Sequence, residues 1–208
     1  MKERPIIFSS QMVRAILEGR KTQTRRALRK QPIDIIPMNV PNEWITLHTR
    51  NPGHGHIATC RFGIPGDRLW VRETWATVKS YDHLKPSLIP RGDARWPMVW
   101  YAADPWGGIK TTTSTFVGKE RSGIFMPRWA SRITLEIVNI RVNQVQSMLM
   151  NEVVCEGVFP YMMPKELGDP RDPMTQYIDL WDKLNSKRGF SWSSNPWVWV
   201  ITFRRIQP

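Results

Sequence analysis

Residues 19–26 bring together side chains that could carry out acyl transfer. The segment contains the primary amine of Lys21 and the hydroxyl of Thr24. A threonine hydroxyl attacks a carbonyl carbon once a neighbouring base removes its proton. A lysine serves as that base if burial lowers its pKa, whereas a charged lysine stabilises the oxyanion instead. The same segment holds three guanidinium groups that are suited to binding phosphate: Arg20, Arg25 and Arg26.

Phosphate binding alone is a second explanation of this segment. Six of the eleven residues from 20 to 30 are basic. Under this interpretation Lys21, Arg25 and Arg26 contact phosphate groups, and Thr24 is an ordinary strand residue. The pattern is compatible with both the catalytic and the binding interpretation.

A helix and a turn must position these groups. Apolar residues recur at helical spacing over residues 10–18, and Ser9 or Ser10 can cap the first turn. Gly19 stands where a helix ends most readily, because glycine enters the left-handed conformation at little cost. Residues three apart on a straight strand point to opposite faces. Lys21 and Thr24 therefore converge only if the chain turns immediately after Gly19.

A third candidate for acid–base chemistry is Glu156. A short helix is predicted over residues 148–156, with Ser147 as its cap and Gly157 after its end. The helix dipole disfavours a carboxylate at this end, so Glu156 is either an incidental surface residue or held there for a reason. If Glu156 lies near Thr24, it can accept the proton while the lysine amine stabilises the oxyanion. Alternatively, the lysine itself is the base.

A predicted strand over residues 68–75 offers further candidates. It follows a Pro-Gly-Asp turn signal at residues 65–67. Glu73 could take part in acid–base chemistry, although an ion pair with a neighbouring arginine is the commoner role for such a carboxylate. Trp70 and Trp75 could stack on nucleobases, whereas core packing is the commoner use of tryptophan.

The other elements predict one α+β domain over residues 1–208. Alternating apolar residues predict a strand over 132–142, and helical spacing predicts a helix over 173–185. Residues 197–203 are apolar on both faces, which predicts a strand in the middle of a sheet. Residues 76–125 are interrupted by prolines and glycines. They predict an irregular insertion, either a lid or aromatic wall for a ligand, or a structural flap.

Charge and composition favour a polyanionic partner. The 208 residues include 30 lysines and arginines against 18 acidic residues, which gives a net charge of +12, and 11 tryptophans. Nucleic acid is such a partner, and a solvated basic surface is the alternative. Two cysteines do not make a disulfide framework, and no apolar run is long enough for a signal peptide or a bilayer span. We therefore expect a cytoplasmic protein with no membrane partner.

No metal or other cofactor is predicted. Four side chains of one loop region are of the kind that bind zinc: His48, His54, His56 and Cys60. Their spacing matches no standard finger or ribbon, and a glycine-rich loop that contains histidines is the simpler interpretation. The sequence does not indicate an oligomeric state.

The order of these elements resembles the ASCH superfamily, including the long versions carried by phages and prophages. The resemblance covers about half of the chain, namely its two ends and its middle strands, and leaves out residues 31–60, 76–125 and 158–172. The motifs that carry it are at residues 19–26, 65–71, 155–157 and 199–203. Members of this superfamily have a small β-barrel related to the PUA RNA-binding fold. The resemblance therefore implies a PUA-like mixed β-barrel flanked by short helices, with a long irregular insertion at residues 76–125.

The basic segment is similar to the motif of small bacterial N4-acetylcytidine amidohydrolases. That motif places a glycine, a lysine, two threonines and an arginine at the spacing seen here: Gly19, Lys21, Thr22, Thr24 and Arg26. The resemblance implies that Lys21, Thr24 and Glu156 are catalytic and that the substrate is an N4-acylated cytidine, either in RNA or as a modified nucleoside. The alternative is a non-catalytic RNA- or nucleotide-binding module of a phage or prophage.

Overall fold

A computed structural model describes residues 1–37, 43–47, 55–90, 98–104, 109, 115–158 and 172–206. The strands in these ranges are β1 (Glu3–Ile7), β2 (Gln23–Ala27), β3 (Asp34–Pro37), β4 (Glu43–Leu47), β5 (Gly55–Thr59), β6 (Arg68–Arg72), β7 (Trp75–Thr77), β8 (Val99–Tyr101), β9 (Thr134–Gln144) and β10 (Trp197–Ile206). The helices are α1 (Ser10–Leu17), α2 (Met150–Cys155) and α3 (Pro173–Asn185). This content confirms the predicted α+β class. None of these described helices is long and apolar enough to cross a lipid bilayer.

Five strands form the main sheet in the order β1-β6-β9-β10-β2. β1 runs parallel to β6, and the other neighbours are antiparallel. β10 lies between β9 and β2, as its two apolar faces predicted, and Val198, Val200 and Ile201 are completely buried. A smaller antiparallel sheet contains β3, β4 and β5.

Helices cover both faces of the main sheet, and the alternation along β10 shows which helix covers which face. Ile201 and Phe203 pack in one apolar cluster with Val13 and Ile16 of α1. The other face of β10 packs in a second cluster with α2 and α3: Val198, Val200, Val153, Tyr177 and Trp181. Because successive side chains of a strand point to opposite faces, the sheet is enclosed between α1 on one side and α2 with α3 on the other.

The described strands form an open sheet, not the closed barrel that the ASCH resemblance implied. β1 and β2 are its two edge strands, and they are not paired with each other in the described part of the chain. Arg26 of β2 instead reaches β1 through its side chain, because its Nη2 donates to the carbonyl oxygen of Ile7 at 2.7 Å. Residues at the end of β1 and in β2 line a cleft between the two edges.

The described residues of the predicted insertion form a small unit beside the main sheet. β7 pairs with β8, and short 3-10 turns make up much of the remainder. A separate apolar cluster holds this unit together: Trp75, Ile89, Met126 and Ala130. Parts of the predicted insertion, at 91–97, 105–108 and 110–114, lie outside the described residues.

Candidate functional site

A cleft of about 350 Å³ opens at the gap between the two edge strands of the main sheet. The residues that line it include charged and hydroxyl side chains from β2, from the end of α2 and from segments on either side: Thr24, Arg25, Arg26, Arg61, Glu156 and Arg188. Its aromatic lining comes from Phe8 after β1 and from Tyr177 and Trp181 of α3. Because β2 is an edge strand, residues from both faces of the sheet reach this one cleft.

The turn between α1 and β2 forms as the sequence predicted. Ser9 caps α1 by accepting a hydrogen bond from the Met12 amide, and Gly19 adopts a left-handed conformation with φ of 76°. The turn is then tied to the end of α2, since the Thr22 amide donates to the Cys155 carbonyl at 2.9 Å. This contact places the basic segment beside Glu156, which is far away in sequence.

Lys21 is buried beneath this junction, and its ammonium group donates all of its hydrogen bonds to protein acceptors. Only 2% of the residue is exposed. Its Nζ donates to the carbonyl oxygens of Gln23 and Glu156 and to Glu156 Oε2, each at 2.8 Å. These three acceptors use all three hydrogens of an ammonium group. Burial lowers the pKa of Lys21, while the Glu156 carboxylate opposes this shift. The arrangement favours a charged lysine over a base that takes a proton from a ligand.

Glu156 has a partner for each carboxylate oxygen. Oε2 accepts from Lys21, and Oε1 lies 3.1 Å from Nη1 of Arg25. This double contact explains why a carboxylate occupies the unfavourable end of a helix: two buried cations hold it there. Gly157 permits this close approach, because a Cβ at that position would lie 2.8 Å from the Cβ of Ala15. Glu156 also borders the cleft, so one carboxylate connects Lys21 to the ligand space.

Arg25 is committed to ion pairs on the α2 face of the sheet. Its Nη2 lies 2.8 Å from Oε2 of Glu152, and its side chain is 1% exposed. Glu152 also pairs with Arg141 and accepts a hydrogen bond from the Leu149 amide. Arg25 also lines the cleft, but its ion pairs in the described part of the chain are both with the carboxylates of Glu152 and Glu156. Its guanidinium group mainly holds Glu156 and Glu152 in place.

Thr24 lies on the opposite face of β2 from Arg25 and borders the cleft. The residue is buried. Its hydroxyl forms no hydrogen bond with another side chain or backbone group in the described ranges. A hydroxyl that borders the cleft and has no such partner can form its hydrogen bonds with a ligand.

The backbone of β2 also presents polar groups to the open edge. In an antiparallel pair, residues bonded to the partner strand alternate with residues whose N–H and C=O groups face away. Leu28 N donates to Trp197 O at 3.0 Å, so the even-numbered residues of this strand bond to β10. The backbone groups of Gln23 and Arg25 therefore face the open edge. Lys21 occupies the Gln23 carbonyl, and the Arg25 amide is left as a hydrogen-bond donor on the cleft side.

The other predicted arginines have different environments. Arg20 pairs with Glu18, and its Nη1 donates to the Gly157 carbonyl at 3.2 Å, so it supports the turn. Arg26 borders the cleft, with its guanidinium group 5.1 Å from the centre of the Phe8 ring. Burial lowers the pKa of Arg26 to about 10. It forms no ion pair with any carboxylate in the described part of the chain. Of the predicted cationic residues, Arg26 is therefore the one whose charge is most available to a ligand in the cleft.

Three further predicted residues do not reach the cleft. Trp75 is completely buried in the core of the insertion, edge-on to Trp129 at 5.9 Å between ring centres. Trp70 is 8% exposed, with the Arg72 guanidinium group 4.6 Å from its ring centre. Both rings are buried and neither lines the cleft, so the structure does not support the prediction that Trp70 and Trp75 bind a ligand. Both tryptophans follow the commoner use, which is packing.

Glu73 likewise belongs to a structural ion pair. Its two carboxylate oxygens accept from Nε and Nη2 of Arg132 at 3.0 and 3.1 Å. Arg132 also pairs with Asp104 at 2.7 Å and lies over the ring of Tyr101. Burial raises the pKa of Glu73, and the bonds from Arg132 act against that shift. The ion-pair interpretation holds, although the partner is a distant arginine and not one from its own strand.

Sequence reasoning missed two of the cationic residues that line the cleft. Arg61 lies between β5 and β6, and Arg188 lies in the turn after α3. Each stands close in sequence to an aromatic residue, Phe62 or Phe190, and each guanidinium group lies over that ring. A basic residue beside an aromatic one in a loop is the signal that was available, and it is weak because loops often contain both.

The described residues contain no group of three or more histidine, cysteine or acidic side chains arranged to hold a metal ion. His48 and His54 of the declined zinc set lie outside the described residues. His56 is exposed on β5, and Cys60 is buried, which raises the pKa of its thiol to about 11.

Comparison with known proteins adds no relative to this picture. No protein-family model, no curated protein and no solved structure matches the chain.

Proposed function

We propose that the chain is an ASCH-like amidohydrolase that removes the acyl group from an N4-acylated cytidine, and that its open sheet is a variant of the PUA-like barrel. One observation carries this proposal. Lys21, Thr24 and Glu156 belong to one site, because Lys21 binds Glu156 at 2.8 Å and both Thr24 and Glu156 border the same cleft. A volume of about 350 Å³ is of the size that binds a small molecule such as a nucleoside.

In the proposed reaction, the Thr24 hydroxyl attacks the acyl carbon and Glu156 accepts its proton. The backbone amide of Arg25 donates a hydrogen bond to the oxyanion that forms. The carbon–nitrogen bond then breaks, and Glu156 returns the proton to the amino group of cytidine. Water hydrolyses the resulting ester on Thr24, which releases the carboxylic acid and restores the hydroxyl. Lys21 is a positioning residue in this scheme, since it orients Glu156 and does not border the cleft.

The test is turnover of N4-acetylcytidine by the purified protein, followed as acetate release. Thr24→Ala should reduce turnover by at least about a hundredfold, because it removes the nucleophile. Thr22→Ala is the matched control, since it makes the same change two residues away, outside the residues that line the cleft. Absence of turnover in the unmodified protein overturns the proposal, and so does normal turnover by Thr24→Ala.

A nucleotide-binding module without catalysis is the second candidate, and the environment of Glu156 favours it. Lys21 and Arg25 each bind one of its carboxylate oxygens, so neither oxygen is left without a partner to accept a proton from Thr24. If the protein binds cytidine compounds but releases no acetate from the acetylated nucleoside, this second function replaces the first.

A further inference from the structure

Three arginines line the cleft without an acidic partner. They come from three separate parts of the chain: Arg26 of β2, Arg61 before β6 and Arg188 after α3. None of them forms an ion pair with any carboxylate among the described residues. The fourth arginine of the cleft, Arg25, differs because Glu152 and Glu156 neutralise it.

Neutral groups hold these three guanidinium groups in place. Arg61 lies over the Phe62 ring, 4.7 Å from its centre. Arg188 Nη1 donates to Asn185 Oδ1 at 3.4 Å, and Arg26 donates to a backbone carbonyl. Contacts of this kind orient a cation without cancelling its charge, so the charge is available to an anion.

The arginines also repel one another. Burial lowers the pKa of Arg61, and repulsion from Arg29 and Arg188 lowers it further. Burial likewise dominates for Arg26 and lowers its pKa; the Glu156 carboxylate opposes this shift, whereas Arg61 and Arg188 add to it. Like charges that are held together in this way are stabilised when an anion binds between them.

A second groove continues the cationic surface beyond the cleft. It has a volume of about 490 Å³ and shares Ala27 and Arg61 with the cleft. The charged residues that line it within the described part of the chain are all basic: Arg29, Lys30 and Arg61. A ligand that carries more than one phosphate could extend from the cleft into this groove.

We infer that Arg26, Arg61 and Arg188 form a phosphate-binding site at the cleft, so that its ligand is a nucleotide and not a free nucleoside. The inference rests on the proposed function in one respect, namely that the cleft accepts a cytidine base. Guanidinium groups suit this task because each can give two parallel hydrogen bonds to a phosphate. The phosphate belongs either to a mononucleotide or to one unit of a nucleic-acid strand.

Calorimetric titration with cytidine, cytidine 5′-monophosphate and a short single-stranded oligocytidylate tests the inference. The monophosphate should bind at least about tenfold more tightly than cytidine at low salt, and added salt should reduce this preference. Arg61→Gln and Arg188→Gln should each remove most of the preference while cytidine binding is retained. Lys187→Gln is the matched control, because it removes an exposed charge next to Arg188 that does not line the cleft.

The oligonucleotide identifies the source of the phosphate. Much tighter binding of the oligocytidylate than of the monophosphate, weakened by Arg29→Gln, indicates a strand that follows the second groove. Equal binding indicates a mononucleotide. Equal affinities for cytidine and its monophosphate overturn the phosphate site, even if acetylcytidine is hydrolysed. Conversely, tighter binding of the monophosphate than of cytidine, without acetate release, supports the phosphate site and overturns only the hydrolase proposal.

Discussion

Lys21 and Glu156, which are 135 residues apart in sequence, form a buried ion pair with 2.8 Å between Nζ and Oε2. The same ammonium group also binds the backbone carbonyl of Glu156 and that of Gln23. One side chain therefore fastens the end of α2 to the beginning of β2. Since Glu156 borders the cleft, this fastening also determines where the carboxylate meets a ligand.

Replacing Lys21 with methionine should therefore destabilise the fold. The substitution leaves Glu156 buried with Arg25 as its remaining cation, and breaking a buried pair in this way costs about 3 kcal/mol. Urea unfolding followed by tryptophan fluorescence measures the loss. The double variant Lys21→Met with Glu156→Gln should recover part of it, because the uncompensated charge is then absent.

A surface pair provides the control for this prediction. Arg204 and Glu136 pair across β10 and β9 with 3.0 Å between Nη2 and Oε2, and the Arg204 side chain is 68% exposed. Arg204→Gln should lower the free energy of unfolding by less than about 1 kcal/mol. Similar losses for Lys21→Met and Arg204→Gln would show that Lys21 does not fasten the end of α2 to β2.

Local signals in the sequence predicted the elements that surround the site. Helix α3 spans Pro173–Asn185, as its apolar spacing indicated. Gly19 follows the end of α1 and has a positive φ, as its position in the sequence predicted. The two apolar faces of residues 197–203 placed that strand between two neighbours. These features depend on residues that are close in sequence, so the sequence pattern carries them directly.

Long-range relationships could not be predicted in the same way. Whether β1 and β2 pair with each other depends on residues far apart in sequence, and the periodicity of a single strand carries no information about that pairing. Arg61 and Arg188 reach the cleft from loops, where spacing carries little information. The strand pattern around Trp75 does not show whether its ring is exposed, so stacking on a base stayed possible. In the structure the ring is buried in the apolar cluster of the insertion.

Glu73 should affect the stability of the insertion but not the ligand site. Glu73→Gln weakens the paired contact with Arg132, and a lost hydrogen bond to a buried charged group costs about 1–3 kcal/mol. We expect faster limited proteolysis and a lower free energy of unfolding. Binding of cytidine compounds should not change, whereas a loss of binding at unchanged stability would return Glu73 to the ligand site.

The buried thiol of Cys60 should make stability fall under alkaline conditions. Its pKa rises from 9.0 to about 11 because burial disfavours the thiolate. Between these two values the unfolded thiol loses its proton while the folded one keeps it. The unfolded state then binds fewer protons, so the free energy of unfolding decreases as the pH rises from 9 to 11.

Cys60→Ala isolates this contribution. The wild-type protein should lose on the order of 2 kcal/mol more than Cys60→Ala over that pH range, because other alkaline effects are common to both proteins. Urea unfolding at several pH values gives the comparison. Parallel pH profiles for the two proteins would mean that the folded thiol ionises as readily as the unfolded one.

Gly157 should tolerate a side chain poorly, because it combines a constrained backbone with a close neighbour. Its φ is 89°, and a Cβ there would lie 2.8 Å from the Cβ of Ala15 and 3.1 Å from that of Lys21. Gly157→Ala must push the end of α2 away from the turn after α1. We expect a loss of about 2–4 kcal/mol, the sum of backbone strain and overpacking.

Gly189→Ala separates backbone strain from overpacking, since Gly189 has a similar φ of 81° but no neighbour within 4 Å of its Cβ position. That variant should lose about 1–2 kcal/mol, from the backbone alone. Gly157→Ala should in addition weaken binding of cytidine compounds, because it displaces Glu156 from its place beside Lys21. Equal destabilisation by the two substitutions, with ligand binding intact in both, would show that the junction of α2 with the turn does not shape the cleft.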